Sequence, residues 1–334
     1  MIQFSNTLTK TLVVATALGL TAIPAAAQGE SVVLVATQKA GDRGPIDGLI
    51  AGLEQAEAEF GVESRFIEAL DPATYENTLR TLARRDTDVI ITTFFAMGAA
   101  VQTVAPEFPD TKFVVIVAGP LNPALENARI VGYATTENAY LAGTFAATMS
   151  ETGNLGLIAG VPMPYVWADY NAMVTGAQAV DPYATIEAAF VQSFEDPVKG
   201  REVAAGLFSQ GVDAVYTGAA ASDIGVVEAG AETSNLVIGA SPPMIDQAPE
   251  AVGFVASFEW ARTLMIEVEN AVGDFESGFR VGGISSGEIV MNFSDAYIAA
   301  NGKAADARTA TEAAYAAIAA GDITIPYDTT EPSN

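Results

Sequence analysis

Aromatic and acidic side chains recur where predicted strands give way to helices, and these residue types suit the binding of a flat heterocycle. Phe94 and Phe95 follow an apolar β-rich run at residues 89–93, and Glu259 directly precedes Trp260 at a predicted helix start. A planar heterocycle needs aromatic faces and a few fixed hydrogen-bonding groups in an otherwise apolar pocket. Because alternate side chains of a strand point to opposite faces, we expect one of the two phenylalanines to reach a cleft; the alternative is that both are core residues.

Each polar or aromatic candidate also has a structural alternative. Trp167 follows a Pro-x-Pro segment and could stack on a ligand or pack within its own lobe. Glu259 could accept ligand N–H groups, or only interact with the dipole of the helix that it precedes. Asp42 lies in a Gly-Asp-Arg-Gly loop and could bind a ligand or stabilise the turn. Ser222 and Asp223 open another helix, where capping is the favoured interpretation.

The composition excludes several kinds of catalysis. The chain has 334 residues with no His and no Cys. It therefore cannot form a Ser-His-Asp triad, a thiol nucleophile, or a metal site with His or Cys ligands. Its 15 basic and 41 acidic residues give a formal charge of -26, which argues against nucleic acid as a partner. Paired acids such as Asp42 and Glu259 leave a carboxylate-dependent hydrolase as an alternative. Since no nucleophile elbow or Gly-rich catalytic loop accompanies them, we expect no enzyme. We also expect no cofactor and no metal, because stacking, hydrogen bonds and exclusion of water can supply the affinity for a ligand.

The elements that must position these residues follow a repeating β–α pattern. Short β-rich runs occupy residues 31–37, 89–93, 112–118, 155–159, 186–191, 214–217 and 236–239. Amphipathic helical stretches lie between most of them, as at residues 46–60, where apolar residues recur on one face. This alternation predicts an α/β fold with parallel sheets in two doubly wound lobes. In such folds ligands bind beyond the carboxyl ends of the strands, so a cleft between the lobes is the expected site.

The first 27 residues read as an export signal. Lys10 is their only charge, an apolar run covers residues 12–23, and Pro24 precedes three alanines. This order predicts a secretory signal peptide cleaved after Ala27, with a membrane anchor as the alternative. The absence of Cys excludes a lipobox anchor, so we expect a protein of a Gram-negative periplasm.

Several motifs resemble the basic membrane protein (BMP) family of ABC-transporter solute-binding proteins. The clearest is FEDPVKG at residues 194–200, similar to the family's F-x-D-P-x-K-G, although we interpret its role in this chain as structural. Others are YENTLRTLA at 75–83, FPDTKF at 108–113, E-x-x-Y-L-A-G at 137–143 and GAQAVDP at 176–182. The resemblance implies a type I periplasmic-binding fold. It also implies a receptor that closes on a nucleoside or related purine and delivers it to an ABC permease in the inner membrane.

Departures from the family pattern bear on the ligand. Nucleoside-binding members carry D-K-S-F-N near the start, and this chain retains only Asp42 of that set. Ser241 stands where the family has a ribose-binding Asp, and Glu259 lies in the region of its ribose-binding Lys. Members resembling adenine-binding proteins carry G-D-x-G, V-P-x-P and E-W, which match residues 41–44, residues 161–164 and Glu259-Trp260. The resemblance therefore implies a purine nucleobase rather than a nucleoside, with another heterocycle such as riboflavin as the alternative.

The lobe boundaries and the site can be stated as expectations. Residues 28–133 with a return at about 254–280 should form the N-terminal lobe, and residues 134–253 with about 281–326 the other. The polar tail, residues 327–334, should fray. We expect a monomer whose ligand stacks on aromatic residues and bonds to polar ones. The candidate contacts are Asp42, Phe94, Phe95, Trp167, Asp223, Ser241, Glu259 and Trp260.

Overall fold

The computed structural model describes residues 29–332, so the predicted signal segment lies outside the described residues. Its strands are β1 (Ser31–Ala36), β2 (Glu63–Glu68), β3 (Val89–Thr93), β4 (Lys112–Ile116), β5 (Ala128–Tyr133), β6 (Asn154–Ala159), β7 (Thr185–Phe190), β8 (Ala214–Gly218), β9 (Leu236–Gly239), β10 (Val252–Phe258), β11 (Gly278–Gly282) and β12 (Ile289–Phe293). Its α-helices are α1 (Pro45–Phe60), α2 (Tyr75–Ala83), α3 (Phe94–Val104), α4 (Thr135–Met149), α5 (Pro164–Gln178), α6 (Pro197–Ser209), α7 (Asp223–Thr233), α8 (Pro243–Gln247), α9 (Trp260–Val272), α10 (Asp295–Ala300) and α11 (Ala304–Ala320). Over residues 29–332, none of the helices combines the length and apolar character needed to span a bilayer.

Two six-stranded sheets form the centres of two lobes. The first has the strand order β11-β5-β4-β3-β1-β2 and is parallel throughout. The second has the order β12-β10-β9-β8-β6-β7, in which only β12 runs antiparallel to its neighbour. Core clusters lie on both faces of each sheet, which explains why β1, β3 and β4 are nearly continuous apolar runs. The predicted α/β architecture of two doubly wound lobes is confirmed.

The chain crosses between the lobes three times. It leaves the first sheet after β5, returns after β10 and leaves again after β11. The return comes later than the expected residue 254, because 252–258 is a buried apolar strand that hydrogen-bonds to β9 and β12 in the second sheet. Backbone hydrogen bonds tie the crossovers together. Ala134 N–H donates to the Gly282 carbonyl at 2.9 Å, and Glu259 N–H donates to the Glu288 carbonyl at 2.9 Å.

Two glycines of α1 allow α9 to approach closely. A Cβ on Gly48 would lie 2.7 Å from the Trp260 Cβ, and one on Gly52 would lie 2.7 Å from the Ala261 carbonyl oxygen. A side chain at either position would therefore force the two helices apart. Since Trp260 is the first residue of α9, this contact fixes the indole at the point where the chain re-enters the first lobe.

The C-terminal segment lies against the second lobe along its described part. The Asn171 side-chain amide on α5 donates to the carbonyls of Asp328 and Thr330, at 2.8 and 2.9 Å. Residues 327–330, which the sequence analysis expected to fray, are therefore held along α5 by a side chain that satisfies their backbone acceptors.

Candidate functional site

A cavity of about 870 Å³ lies between the lobes at the carboxyl ends of several strands. The first lobe contributes Arg43, Gly44 and Pro45 from the loop between β1 and α1, and the junction of β10 and α9 contributes Phe258, Glu259 and Trp260. The second lobe contributes Ala240, Ser241, Pro242, Pro243, Ile245, Asp246, Ser257, Met291, Asn292, Phe293, Asp295 and Arg308. This volume lies within the range of small-molecule sites, and the position agrees with the rule that ligands bind at strand carboxyl ends.

Glu259 and Trp260 meet the cavity at the second crossover. Glu259 occupies the N-cap position of α9, but its carboxylate makes no capping hydrogen bond and remains exposed. The Trp260 ring contacts Tyr133 and Phe258 edge-on, with centroid separations of 5.2 and 5.5 Å. The structure therefore places a free acceptor beside an aromatic ring that its neighbours hold in position.

Ser241 lines the same cavity from the second lobe. Its backbone carbonyl accepts from Met244 N–H at 3.1 Å, which fixes the turn between β9 and α8. The hydroxyl takes part in no side-chain hydrogen bond among residues 29–332 and is half-buried. Ser241 can therefore offer both a donor and an acceptor to a ligand.

Asp42 serves the loop itself. Its Oδ1 accepts from Gly44 N–H at 2.9 Å and Asp47 N–H at 3.1 Å, and its Oδ2 accepts from Ile46 N–H at 3.0 Å. The carboxylate thus satisfies amides at the start of α1 that have no partner within the helix. These contacts agree with the structural alternative, and the contact of Asp42 with a ligand stays a prediction. The adjacent Arg43, which sequence reasoning did not select, lines the cavity instead.

Phe94 and Phe95 open α3 at the carboxyl end of β3, outside the lining of the cavity. Phe94 is half-buried with a backbone φ of 66°, and Phe95 is 70% exposed. One phenylalanine of the pair is therefore strongly exposed at the strand end, while its contact with a ligand stays a prediction.

Backbone strain is concentrated at this edge of both sheets. Five non-glycine residues with positive φ follow strand ends: Arg43, Phe94, Val117, Gln192 and Ala220, with φ between 51° and 66°. Positive φ is costly for bulky or β-branched side chains and clusters at sites that hold ligands. Two further non-glycine residues with positive φ among residues 29–332, Asp86 and Ser234, lie elsewhere, so the strained backbone lies mainly at the carboxyl edges.

Trp167 and Asp223 lie in the second lobe outside the lining of the cavity. The Trp167 ring packs edge-on against Phe190, with 5.4 Å between the ring centroids. This contact agrees with the alternative that Trp167 packs within its own lobe. The Asp223 carboxylate accepts from the Thr217 hydroxyl and from Ala219 N–H, both of which precede α7. Among the described residues no side chain caps the start of α7, so the capping interpretation of Ser222 and Asp223 is wrong. Burial raises the pKa of Asp223 to about 6. Their contact with a ligand stays a prediction.

Asp169 forms a buried polar contact that the sequence analysis missed. It is 8% exposed, and the Thr135 hydroxyl donates to its Oδ1 at 2.7 Å. Burial raises the pKa of this carboxyl to about 7, and the Thr135 hydrogen bond offsets that rise only in part. The contact joins the first turn of α4 to α5, directly after the first crossover. An Asp on a helix gives no sequence signal of burial, so only the structure could reveal it.

The described residues contain no cluster of three or more acidic side chains grouped to hold a metal ion. The polar groups that line the cavity are instead single carboxylates, two serine hydroxyls, an amide and two guanidinium groups beside aromatic rings. Such a set can bind an uncharged planar solute through stacking and hydrogen bonds.

Comparisons with known proteins agree with this architecture. A purine-binding protein of Brucella abortus is 31% identical over 204 residues, which cover 60% of this chain and 56% of that protein. An ABC transporter protein of Haloferax volcanii, described as glucose-binding, is 32% identical over 165 residues, or 46% of this chain and 39% of that protein. The chain thus spans about half or less of the length of these two relatives.

Two solved structures with the same fold are described as ABC transporter solute-binding proteins. One from Aeropyrum pernix has a TM-score of 0.70 at 20% identity and covers 90% of this chain and 94% of its own. One from Conexibacter woesei has a TM-score of 0.73 at 21% identity, and the match covers 91% of this chain and 100% of that one. These similarities confirm the predicted type I periplasmic-binding fold. The PnrA-like family of ABC transporter substrate-binding proteins (Bmp) matches residues 30–297, and the chain belongs to that family.

Proposed function

We propose that this substrate-binding protein receives a purine nucleobase for an ABC importer. The observation that carries the proposal is the pairing of Glu259 and Trp260 on one interlobe cavity. The indole offers a stacking surface. The Glu259 carboxylate, which makes no capping hydrogen bond to α9, can accept hydrogen bonds from N–H groups of a heterocycle. The relative named as purine-binding supports the same ligand class.

A nucleobase fits the lining better than a nucleoside. The resemblance places a ribose-binding Asp and Lys in nucleoside receptors, and this chain has Ser241 and Glu259 in the corresponding regions. Glucose is the second candidate, because one relative is described as glucose-binding. Riboflavin and a carboxylate-dependent hydrolysis remain alternatives for the test to separate.

The proposal includes closure of the lobes around the ligand. A cavity lined from both lobes can enclose a small solute only if the lobes rotate about the three crossovers. We propose further that the exported chain acts in the periplasm as a monomer and docks on an inner-membrane permease. Small-angle scattering should show a smaller radius of gyration with saturating ligand. Superimposable curves would contradict closure.

A thermal-shift screen of nucleobases, nucleosides, riboflavin and sugars tests the ligand class, because a ligand that binds the folded state raises its melting temperature. We expect nucleobases to give the largest shifts. Stabilisation by sugars alone would overturn the purine assignment. Release of free base from a nucleoside by the purified protein would favour a hydrolase.

Substitutions at the junction of β10 and α9 test the position of the site. Trp260→Ala and Glu259→Gln should each weaken nucleobase binding by about 1–3 kcal/mol, the usual scale for a lost buried contact. Glu269→Gln is the matched control, since Glu269 lies exposed on the same helix and outside the cavity. Unchanged affinity in both cavity variants would place the site elsewhere.

A further inference from the structure

A chain of side-chain hydrogen bonds joins the three crossovers between the lobes. The Tyr133 hydroxyl, at the end of β5, lies 2.8 Å from Thr263 Oγ1 on α9, and that oxygen lies 2.8 Å from Oε1 of Glu288. Tyr133 precedes the first crossover, Thr263 follows the second, and Glu288 lies at the end of the third. Thr263 and Glu288 are fully buried, so water does not compete for the bond between them.

The charge on Glu288 determines the direction in which each hydroxyl of this chain donates. Burial alone would raise the pKa of this carboxyl, but hydrogen bonds from Arg280 and Ser286 lower it, so the group is ionised and only accepts. The Thr263 hydroxyl has one proton, which it donates to the carboxylate. Its oxygen then accepts from the Tyr133 hydroxyl, whose pKa burial raises. The chain therefore has one polarity and ends on a negative charge.

A balanced set of buried charges fixes that end of the chain. Arg280 binds both Glu267 and Glu288 at 2.6 Å, and Arg129 Nε lies 3.0 Å from Glu267 Oε2. Two guanidinium groups thus face two carboxylates. A Cβ on Gly282 would lie 2.6 Å from each carboxylate oxygen of Glu288, so the backbone of β11 also packs against this group. The Glu288 carboxylate has little room to move.

The other end of the chain is the aromatic ring that contacts Trp260. The ring centroids of Tyr133 and Trp260 are 5.2 Å apart with 76° between the ring planes, and Phe258 lies 4.3 Å from Tyr133 at 36°. Phe258 and Trp260 line the interlobe cavity, and Tyr133 lies outside that lining. A ring whose hydroxyl is bound to a buried residue cannot shift freely, so it restricts the indole that packs against it.

We propose that Tyr133 and Thr263 are positioning residues that fix the Trp260 indole at the cavity. They do so by tying it to the Arg280–Glu288 pair on the third crossover. The position of the indole then depends on how the lobes are joined, because Glu288 directly precedes β12 of the second sheet. The consequence for ligand affinity rests on the proposed purine function, whereas the consequence for the indole does not.

Tyr133→Phe tests this role, because it keeps the ring and removes only the hydroxyl. The chain has two tryptophans, so Trp167→Phe leaves Trp260 as the single indole emitter. In that background Tyr133→Phe should increase acrylamide quenching of Trp260 and weaken adenine binding by about threefold to tenfold, the scale of one net hydrogen bond. Tyr170→Phe is the matched control, since it removes a hydroxyl that donates to the Ile186 carbonyl at 3.0 Å in the second lobe. It should change neither value.

A double-mutant cycle tests whether the two hydroxyls act as one chain. Thr263→Val removes the central hydroxyl and keeps a branched side chain, so it should increase the quenching as Tyr133→Phe does. The double variant should then show little further increase, because either change already breaks the chain. Thr263→Ser retains the hydroxyl and should behave as the native protein. Fully additive effects, or equal quenching in the Ser and Val variants, would overturn the chain.

The two readouts separate this inference from the function on which its affinity arm rests. Unchanged quenching in a folded Tyr133→Phe variant overturns the positioning role, whatever the ligand is. If Tyr133→Phe fails to fold, the contrast between Thr263→Ser and Thr263→Val decides the same question. Increased quenching, together with a native protein that binds no adenine or other purine, supports the positioning role and overturns the proposed function.

Discussion

The Arg280 guanidinium donates two hydrogen bonds to the Glu288 carboxylate, at 2.6 and 2.9 Å, across the third crossover between the lobes. Arg280 lies on β11 of the first sheet, and Glu288 directly precedes β12 of the second. A further N–H of Arg280 binds Glu267 on α9 at 2.6 Å, and both glutamates are fully buried. Burial alone would raise the pKa of Glu288, but its hydrogen bonds from Arg280 and Ser286 outweigh that effect and lower the pKa below its ordinary value.

Removal of one partner of this buried network should be strongly destabilising. Glu288→Ala leaves the Arg280 charge buried with one partner fewer, so the free energy of unfolding should fall by about 3–5 kcal/mol. Denaturant unfolding measures the loss. Glu312→Ala removes a surface ion pair with Arg308 and should cost at most about 1 kcal/mol. Equal, small losses in both variants would contradict a structural role for the buried pair.

The stability should depend on pH through Asp169. Its pKa is about 7 in the folded protein against an ordinary 3.8, so the folded state binds this proton more tightly than the unfolded chain. The associated stability is complete below about pH 4 and is lost as the pH rises to about 7. Asp169→Asn should therefore raise the free energy of unfolding by about 2–4 kcal/mol at pH 8, and much less at pH 4.

The amide of this variant can still accept the Thr135 hydrogen bond, so the comparison isolates the charge. Asp110→Asn, at an exposed position, serves as the control and should leave the pH profile unchanged. Parallel profiles for Asp169→Asn and the native protein would show that burial does not perturb this group.

The close approach of α1 and α9 predicts that an alanine at Gly48 lowers the stability, whereas an alanine at a glycine with open space around it raises the stability. Gly48→Ala places a methyl group 2.7 Å from the Trp260 Cβ, which overpacks the contact and should cost about 1–3 kcal/mol. Gly206→Ala on α6 meets no atom within 4 Å and should stabilise the helix by about 0.5–1 kcal/mol. Thermal unfolding compares them, and a stabilising Gly48→Ala would refute the packing argument.

Strain at the sheet edges can be tested at two adjacent alanines. Ala220 is exposed with a φ of 54°, whereas Ala221 in the same turn has no positive φ. Ala220→Gly should therefore raise stability by about 0.5–1 kcal/mol, and Ala221→Gly should lower it by a similar amount. If both variants lose stability, the strain at Ala220 is not costly.

The fold was predictable wherever burial leaves a clear pattern. The apolar run at residues 89–93 coincides with β3, because a central parallel strand is covered on both faces. The predicted β-rich runs omit β5 and β10, which lie inside their sheets, and the edge strands β2, β11 and β12. The sequences of β2 and β11, ESRFIE and GFRVG, mix charged residues or glycines with apolar residues. Tertiary pairing, rather than local pattern, makes these segments strands.

The sequence predicted where the candidate site lies, but it identified only some of the residues that line it. Loop position and the family resemblance selected Ser241, Glu259 and Trp260, and all three line the cavity. The direction in which a carboxylate points depends on nearby backbone amides, which the sequence does not reveal. The Asp42 carboxylate binds amides at the start of α1, whereas the adjacent Arg43 lines the cavity. The available signal for Arg43 was its position between Asp42 and Asp47, two acids that can bind the backbone amides at the start of a helix.

The threefold crossing of the chain between the lobes has a consequence for folding during synthesis. The strands β1 to β5 are complete by residue 133, yet the core that they share with α1 also contains Leu264, Val268 and Ala271 of α9. A chain that emerges from its N-terminus must therefore keep apolar surface of the first sheet uncovered until more than 130 further residues have followed. The apolar face of the first sheet therefore stays exposed for a large part of the synthesis of the chain, until α9 has been made.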